Sequence, residues 1–309
     1  MTIRRIAALI NPSARHGLGA GAAETALGAL GAHGLDVTEM IGRDATHAQE
    51  LAHTAARSDH DAVVVIGGDG SIRMALEAVR GTGTSIGLMP AGTGNDHARA
   101  LGIPIDDPVA AAAIIGAGHE RSIDLAQITL ADGSTSVFGT VAATGLDALV
   151  TERANMLARP KGQLRYPIAA VAEIAKLKPF HYRITVDGTT IERDLVLASV
   201  GNTRSYGGGM QITPDAIIDD GLLDLTLVLS GSRLRLLTLF PTVYSGKHIH
   251  RPEVEQLRGR KIVLECEPAA PIYADGDRVG MLPATIETLP GAVTFLVPRI
   301  PSKESRAQT

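Results

Sequence analysis

The chain has 309 residues, 45% hydrophobic and 20% charged, which suits two domains with sizeable cores and excludes a disordered chain. A net charge of −4, with 3% aromatic residues and no Trp, excludes a broad basic nucleic-acid surface and a set of base-stacking platforms. The single cysteine, Cys266, excludes an internal disulfide and fits a reducing, cytoplasmic setting.

Residues 5–10 read as a first strand, too short for a secretory signal and ended by Asn11-Pro12. The loop Asn11-Pro12-Ser13-Ala14-Arg15-His16-Gly17 follows, then an Ala-rich helix over about 21–30 and a strand over 37–41. Thr46 is expected to cap the next helix, with Gln49 completing a capping box. Two continuous apolar runs, 62–66 and 85–89, have the length and composition of buried parallel strands. Gly67-Gly68-Asp69-Gly70-Ser71 follows the first run and precedes a helix over 72–79. Pro90-Ala91-Gly92-Thr93-Gly94-Asn95-Asp96 follows the second and precedes a helix through 98–101. This alternation predicts right-handed crossovers and a parallel sheet.

After Asp124 short strand-like runs dominate: 126–130, 136–142, 182–186, 194–200, 223–229, 261–265 and 293–297. Helices are expected only over 164–177 and 232–244. The pattern predicts a second domain, an antiparallel sheet or sandwich. The expected division is 1–124 for a nucleotide-binding α/β domain, 125–298 for the β domain and 299–309 for a polar tail. Cys266 reads as a small buried hydrophobe, and His248 and His250 as solvated loop residues. No run reaches the roughly 18 apolar residues of a membrane span.

The two glycine loops leave the carboxyl ends of strands, where open α/β sheets bind ligands. Gly67–Ser71 alone could be a tight strand-to-helix turn, and Pro90–Asp96 is the more specific loop; together they point to a nucleotide-phosphate site, because glycine lets backbone N–H groups approach an anion closely. Asp69 would orient the loop or face a cation, and Ser71 would donate to a phosphate oxygen. Asn95 and Asp96 read either as caps of the next helix or, for Asp96, as an acid holding a metal-bound water or a substrate hydroxyl. Asp219-Asp220-Gly221 reads by itself as a turn, whereas Asp275-Gly276-Asp277 reads as a catalytic corner, with an exposed turn between strands as the alternative. Gly83-Thr84-Ser85-Ile86-Gly87 matches a nucleophile elbow by letter only, since Ser85 opens a strand.

The order of Asn11-Pro12, the GGDGS loop, the PAGTGNDHAR block (90–99), Ala143-Thr144-Gly145-Leu146-Asp147-Ala148, Asp219-Asp220-Gly221-Leu222-Leu223-Asp224-Leu225 and Asp275-Gly276-Asp277 resembles the bacterial diacylglycerol kinase family, over about residues 4–298. That resemblance implies an α/β nucleotide domain, a C-terminal antiparallel β-sandwich and an active site in the cleft between them. It also implies ATP as donor, magnesium, and a lipid acceptor met at a membrane surface by a cytoplasmic, peripheral enzyme. Carried over by position, Asn11, Pro12, Ser13, Ala14, Arg15 and Thr46 would line the nucleotide. Gly67, Gly68, Asp69, Gly70, Ser71, Ile72 and Arg73 would wrap its phosphates, Thr93 would add a hydroxyl, and Gly92, Gly94, Asn95 and Asp96 would support the loop. Asp220, with the carbonyls of Ile217 and Leu222, would hold magnesium, and Asp277, helped by Asp275, would serve the acceptor hydroxyl as base.

The sequence departs from the family pattern at Ser71, Arg73 and Met74, at Ala14-Arg15, and at Asp277, where the family has Glu. The alternatives are a kinase for a soluble acceptor, similar to NAD kinase or phosphofructokinase, and a nucleotide-binding sensor without catalysis. Arg153, Arg159, Lys161 and Arg165 read as a solvated face within reach of anionic headgroups. Exposed strand edges in the second domain offer a route to a homodimer.

Overall fold

Short apolar runs become parallel strands in the computed structural model, which describes residues 3–10, 19–157, 165–176 and 178–299. The chain divides into an α/β unit, Met1–Ser122 with Val293–Thr309, and a β unit, Ile123–Ala292.

The α/β unit runs β1 (Arg5–Ile10), α1 (Gly19–Ala32), β2 (Asp36–Ile41), α2 (Ala45–Ala56), β3 (Ala62–Gly67), α3 (Asp69–Val79), β4 (Ser85–Pro90), α4 (Asp96–Leu101) and α5 (Pro108–Ala117). Its strands stand in the order β4-β3-β1-β2, all parallel. β3 is buried along its whole length, which is why its sequence is continuously apolar rather than alternating. β2 and β3 flank β1 on opposite sides, so the connections diverge there and leave a crevice beyond the carboxyl ends. Helix α1 packs with α5, and α2 with α3.

Two local expectations change, and one helix is added. The carboxylate of Asp44, not Thr46, caps α2 by accepting the His47 N–H at 2.8 Å; Thr46 is exposed in the first turn and no capping box forms. Gly68 takes the extended conformation of an N-cap, so Asp69 and Ser71 already belong to α3. Helix α5, unmarked by any apolar stripe, is started by Pro108 and by Asp107, whose carboxylate accepts the Ala110 N–H at 2.9 Å.

The β unit contains β5 (Glu120–Leu130), which carries the chain across from the α/β unit, then β6 (Thr135–Phe138), β7 (Val141–Gly145), α6 (Leu146–Met156), α7 (Arg165–Lys176), β8 (Phe180–Val186), β9 (Thr189–Gly201), β10 (Leu223–Leu229), α8 (Arg233–Val243), β11 (Val254–Gly259), β12 (Lys261–Glu267), β13 (Pro271–Ala274), β14 (Asp277–Met281) and β15 (Ala284–Leu296). The pairs β5–β6, β7–β9, β7–β13, β8–β9, β8–β12, β9–β10, β10–β11, β12–β15 and β13–β14 are antiparallel, and β15 runs on past Ala292 into the α/β unit. β9 pairs with β8 through its first half and with β7 and β10 through its second. Tyr182, Phe138, Leu195, Leu225, Leu227 and Ile262 are wholly buried in one core between the strands, the β-sandwich expected from the sequence.

The expected strand over 136–142 is broken at Gly139-Thr140 into β6 and β7, and α6 is a helix the sequence reading omitted. Val150 and Ala154 of α6 pack on Ala169 and Ala170 of α7, with Phe240 of α8 against them. His248 is not solvated: it is wholly buried in a 3₁₀ turn, its Nε2 is 3.1 Å from the Ile212 carbonyl, and burial holds its pKa below the usual imidazole range. Cys266 is half-buried against the core, and burial pushes its thiol up. Among the described residues no helix is long and apolar enough to cross a membrane.

Candidate active site

The two glycine loops are seated backbone to backbone at the carboxyl ends of β3 and β4. The Ala91 N–H donates to the Gly67 carbonyl at 2.9 Å. A Cβ on Gly92 would lie 2.4 Å from the Gly68 Cα, so nothing larger than glycine fits this crossing. Asn95 closes the second loop. Its backbone is left-handed (φ 54°), its Oδ1 accepts the Gly92 N–H at 2.9 Å, and its Nδ2 donates to the Gly92 carbonyl at 2.9 Å. Asn95 therefore stands at the head of α4 without capping it. Arg99 Nε adds a bond to the Gly94 carbonyl at 3.2 Å.

Gly94 leaves room for two carboxylates: a Cβ there would lie 2.9 Å from Asp69 Oδ2 and 3.1 Å from Asp96 Oδ2. Asp69 Oδ1 meets the His97 backbone N–H at 3.2 Å and Nδ1 at 3.0 Å. Burial works to raise the Asp69 pKa, but the hydrogen bond and charge of His97, with the N–H groups of His97 and Asp96, hold it below the usual range. The imidazole of His97 is 1% exposed, so this contact is shielded from water. Ser71 and Ile72 are buried, Arg73 is half-buried, and Gly70, Thr93 and Thr46 are exposed. Asn11, Pro12, Ser13, Ala14 and Arg15 lie outside the described residues.

In the β unit, Asp275 and Gly276 form a two-residue turn joining β13 to β14, with Ala274 paired to Asp277 across it. Both turn residues have positive φ (49° and 86°), the requirement that makes Asp-Gly a favoured hairpin pair. The Asp275 carboxylate is buried and accepts the Gly139 N–H at 2.9 Å, the Thr140 N–H at 2.9 Å and the Thr140 hydroxyl. It anchors the break between β6 and β7, while Asp277 stands half-buried at the start of β14.

A hydrogen-bonded chain leads from this corner to the acidic turn. Asn202 Nδ2 donates to the Gly139 carbonyl at 3.0 Å and to the Asp124 carbonyl at 2.8 Å. The Asp124 carboxylate in turn accepts the N–H groups of Gly221 at 2.6 Å and Gly291 at 2.8 Å. Beside Gly221, Asp220 accepts the Leu222 N–H at 3.1 Å and is ion-paired with Arg258, which also lies 3.4 Å from Asp224. Where the sequence leads to an expected magnesium, the Asp220 carboxylate meets the Leu222 N–H and the Arg258 guanidinium. Arg258 supplies part of the positive charge this turn draws. Among the described residues no group of three or more His, Cys, Asp or Glu side chains forms a metal cluster.

Asp147, in the first turn of α6, is half-buried and accepts the Tyr206 hydroxyl at 2.5 Å. Burial pushes its carboxyl up to about 6 against the opposing bond from Tyr206. Tyr206 opens the turn through Gly207, Gly208 and Gly209 that is closed by its bridge to Met210. His97, Asp124, Asn202 and Asp147 were not singled out from the sequence. His97 and Asp147 lie inside quoted motif blocks, whereas Asp124 and Asn202 carry no motif, because their partners are distant backbone groups.

The comparisons with known proteins follow the same division. The diacylglycerol kinase catalytic domain matches residues 5–128, and the YegS C-terminal NAD kinase beta sandwich-like domain matches residues 139–297. A diacylglycerol kinase of Mycobacterium tuberculosis (strain ATCC 25618 / H37Rv) is 47% identical over 96% of each chain. One of Bacillus subtilis (strain 168) is 29% identical over 83% of each chain. A crystal structure of a diacylglycerol kinase from Bacillus anthracis str. Sterne superposes with a TM-score of 0.77 at 25% identity, covering 96% of this chain and 98% of that one. With both units matched in order and a relative of this identity spanning nearly the whole length, the chain belongs to the diacylglycerol kinase family.

Proposed function

We propose that this protein is a lipid kinase that transfers the γ-phosphoryl group of ATP to a hydroxyl of diacylglycerol or a related lipid. The observation that carries the reading is the backbone seating of two glycine loops on the carboxyl edge of a parallel sheet, in a chain of this family. Backbone N–H groups of Gly68 through Gly70, at the N-terminus of α3, bind the phosphates beside Gly92 and Gly94, whose lack of side chains lets the ligand approach; Ser71 adds its hydroxyl, and Ile72 and Arg73 continue that turn. Asn11, Pro12, Ser13, Ala14, Arg15 and Thr46 line the nucleotide, and Thr93 adds a hydroxyl. Asp69, kept ionised by His97, would face the cation that accompanies the phosphates, and Asp96 would support the loop beside it. Magnesium, when bound, supplies positive charge to phosphate oxygens; a further ion is assigned to Asp220 with the carbonyls of Ile217 and Leu222.

Phosphoryl transfer to an alcohol needs a carboxylate at the acceptor hydroxyl. Asp277 takes the hydroxyl proton as the new P–O bond forms and ADP leaves. The buried Asp275, saturated with donors, fixes the turn on which Asp277 stands. The absence of a suitable membrane-crossing helix among the described residues agrees with a lipid met at the bilayer surface.

The test is transfer of labelled γ-phosphate from ATP and magnesium into an extracted lipid mixture. Wild type is expected to label a lipid, and Asp277→Asn to lower that rate by about 10²–10⁴-fold with the KM for ATP little changed. Measurable ATP binding with no labelled lipid overturns the lipid-kinase reading.

A further inference from the structure

We propose that the outer face of α7 and α8 seats the protein on an anionic bilayer, a partner that rests on the lipid-kinase reading above. Helix α8 buries Leu236, Leu239 and Val243 but turns Leu234, Leu237 and Tyr244 outward, Leu234 being 72% exposed. Helix α7 buries Ala169, Ala170 and Ile174 but exposes Ile168 and Val171, and α6 ends in Met156 at 81% exposure. A helix on a water-facing surface turns mostly polar residues outward; two adjoining helices that also expose large apolar side chains among their cations mark an interaction surface. The two faces are joined. Phe240 of α8 packs against the α6–α7 cluster, and the exposed Tyr244 meets the Phe240 ring edge-on at 6.3 Å.

The charge on this layer selects the occupant. Helix α8 has no acidic residue and exposes Arg233 and Arg235, the latter ion-paired with Glu253 at 3.1 Å. The single acid of α7, Glu173, is ion-paired with Arg153, and Lys176 and Lys178 are exposed at its far end. A second copy of the chain would satisfy the leucines but would bring an equally cationic layer against this one. An anionic bilayer takes both, apolar side chains into the acyl boundary and cations against headgroups. The layer also adjoins the acid corner: Glu152 of α6 lies 3.5 Å from Arg278, the neighbour of Asp277.

The chain contains no Trp, so Leu237→Trp installs a unique fluorophore, and Tyr244→Trp a second, independent one. With phosphatidylcholine–phosphatidylglycerol vesicles, both reporters in the full chain are expected to shift to the blue and to be quenched by brominated acyl chains. Pure phosphatidylcholine is expected to give much weaker changes. Val171→Glu combined with Leu237→Glu is expected to lower the vesicle-bound fraction roughly tenfold. The same double variant is expected to phosphorylate a short-chain, monomerically dissolved diacylglycerol at the wild-type rate. Unshifted reporters, unchanged vesicle binding in the double variant, or a wild-type dimer that the double variant dissolves each overturn the docking face. Binding through this face without phosphorylation of vesicular or dissolved lipid upholds the docking face and overturns the kinase reading instead.

Discussion

The α/β unit and the β unit prepare charge for chemistry in opposite ways. The α/β unit uses backbone: two glycine loops whose Cα atoms nearly touch, a helix N-terminus, and one asparagine that replaces the hydrogen bonds the loop lacks. The β unit uses side chains, each fixed by buried bonds to distant main-chain groups: Asp275 on Gly139 and Thr140, Asn202 on Gly139 and Asp124, Asp124 on Gly221 and Gly291. Backbone sites are sensitive to added volume and side-chain sites to lost hydrogen-bond capacity.

The largest break in the comparison is expected from Gly92→Ala. Its Cβ has no room against Gly68, so the loops must part, and kcat/KM for ATP is expected to fall by about 100-fold or more in steady-state assays. The matching change in the other unit adds no volume. Asp275→Asn turns an amide N–H₂ toward backbone N–H groups, and chemical denaturation is expected to report a loss of about 1–3 kcal/mol. If Gly92→Ala proves mild while Asp275→Asn abolishes ATP binding, the contrast between the two units is wrong.

A smaller effect is expected at His97, where a side chain supports the backbone site. His97→Phe removes the partner that keeps Asp69 ionised, and the KM for ATP is expected to rise about tenfold. The rise should be steepest on the acid side, where the unsupported carboxylate takes up a proton. A pH profile of kcat/KM for ATP unchanged from wild type would separate His97 from the charge of Asp69.

The smallest expected effect is pH-dependent stability at Asp147, whose folded carboxyl titrates at about 6 against an ordinary 3.8. Below about pH 4 the group is neutral in both states. As pH rises, ionisation first favours the unfolded chain, so its contribution is lost through about pH 6, in all about 1–3 kcal/mol. Asp147→Asn keeps an acceptor for Tyr206 without that ionisation. The variant is therefore expected to melt above wild type at pH 8 and to lose its advantage near pH 4.

Legibility in the sequence follows the same contrast. The parallel strands and both glycine loops were readable because a buried strand is written as an unbroken apolar run and a backbone site as glycine. The helix start at Asp69 was not, because GGDGS carries equal marks of loop and cap until Gly68 is seen extended. Asp44 displaced Thr46 as the cap of α2 because either residue type serves, and only the backbone, extended at Asp44, decides between them. His248 was misread because one imidazole–carbonyl bond allows burial that its polar neighbours do not announce. Asp124 and Asn202 lay beyond reach, since what they hold is main chain far away in sequence.

The return of β15 has a consequence for how the protein is made. Phe295 is fully buried and pairs beside Ile86 of β4, so the α/β unit takes an outer strand from the far end of the chain. During translation β4 waits with an unpaired edge while the whole β unit is synthesised. A nascent chain stalled before Val293 would carry both glycine loops on an unfinished sheet, a natural target for surveillance by chaperones and proteases.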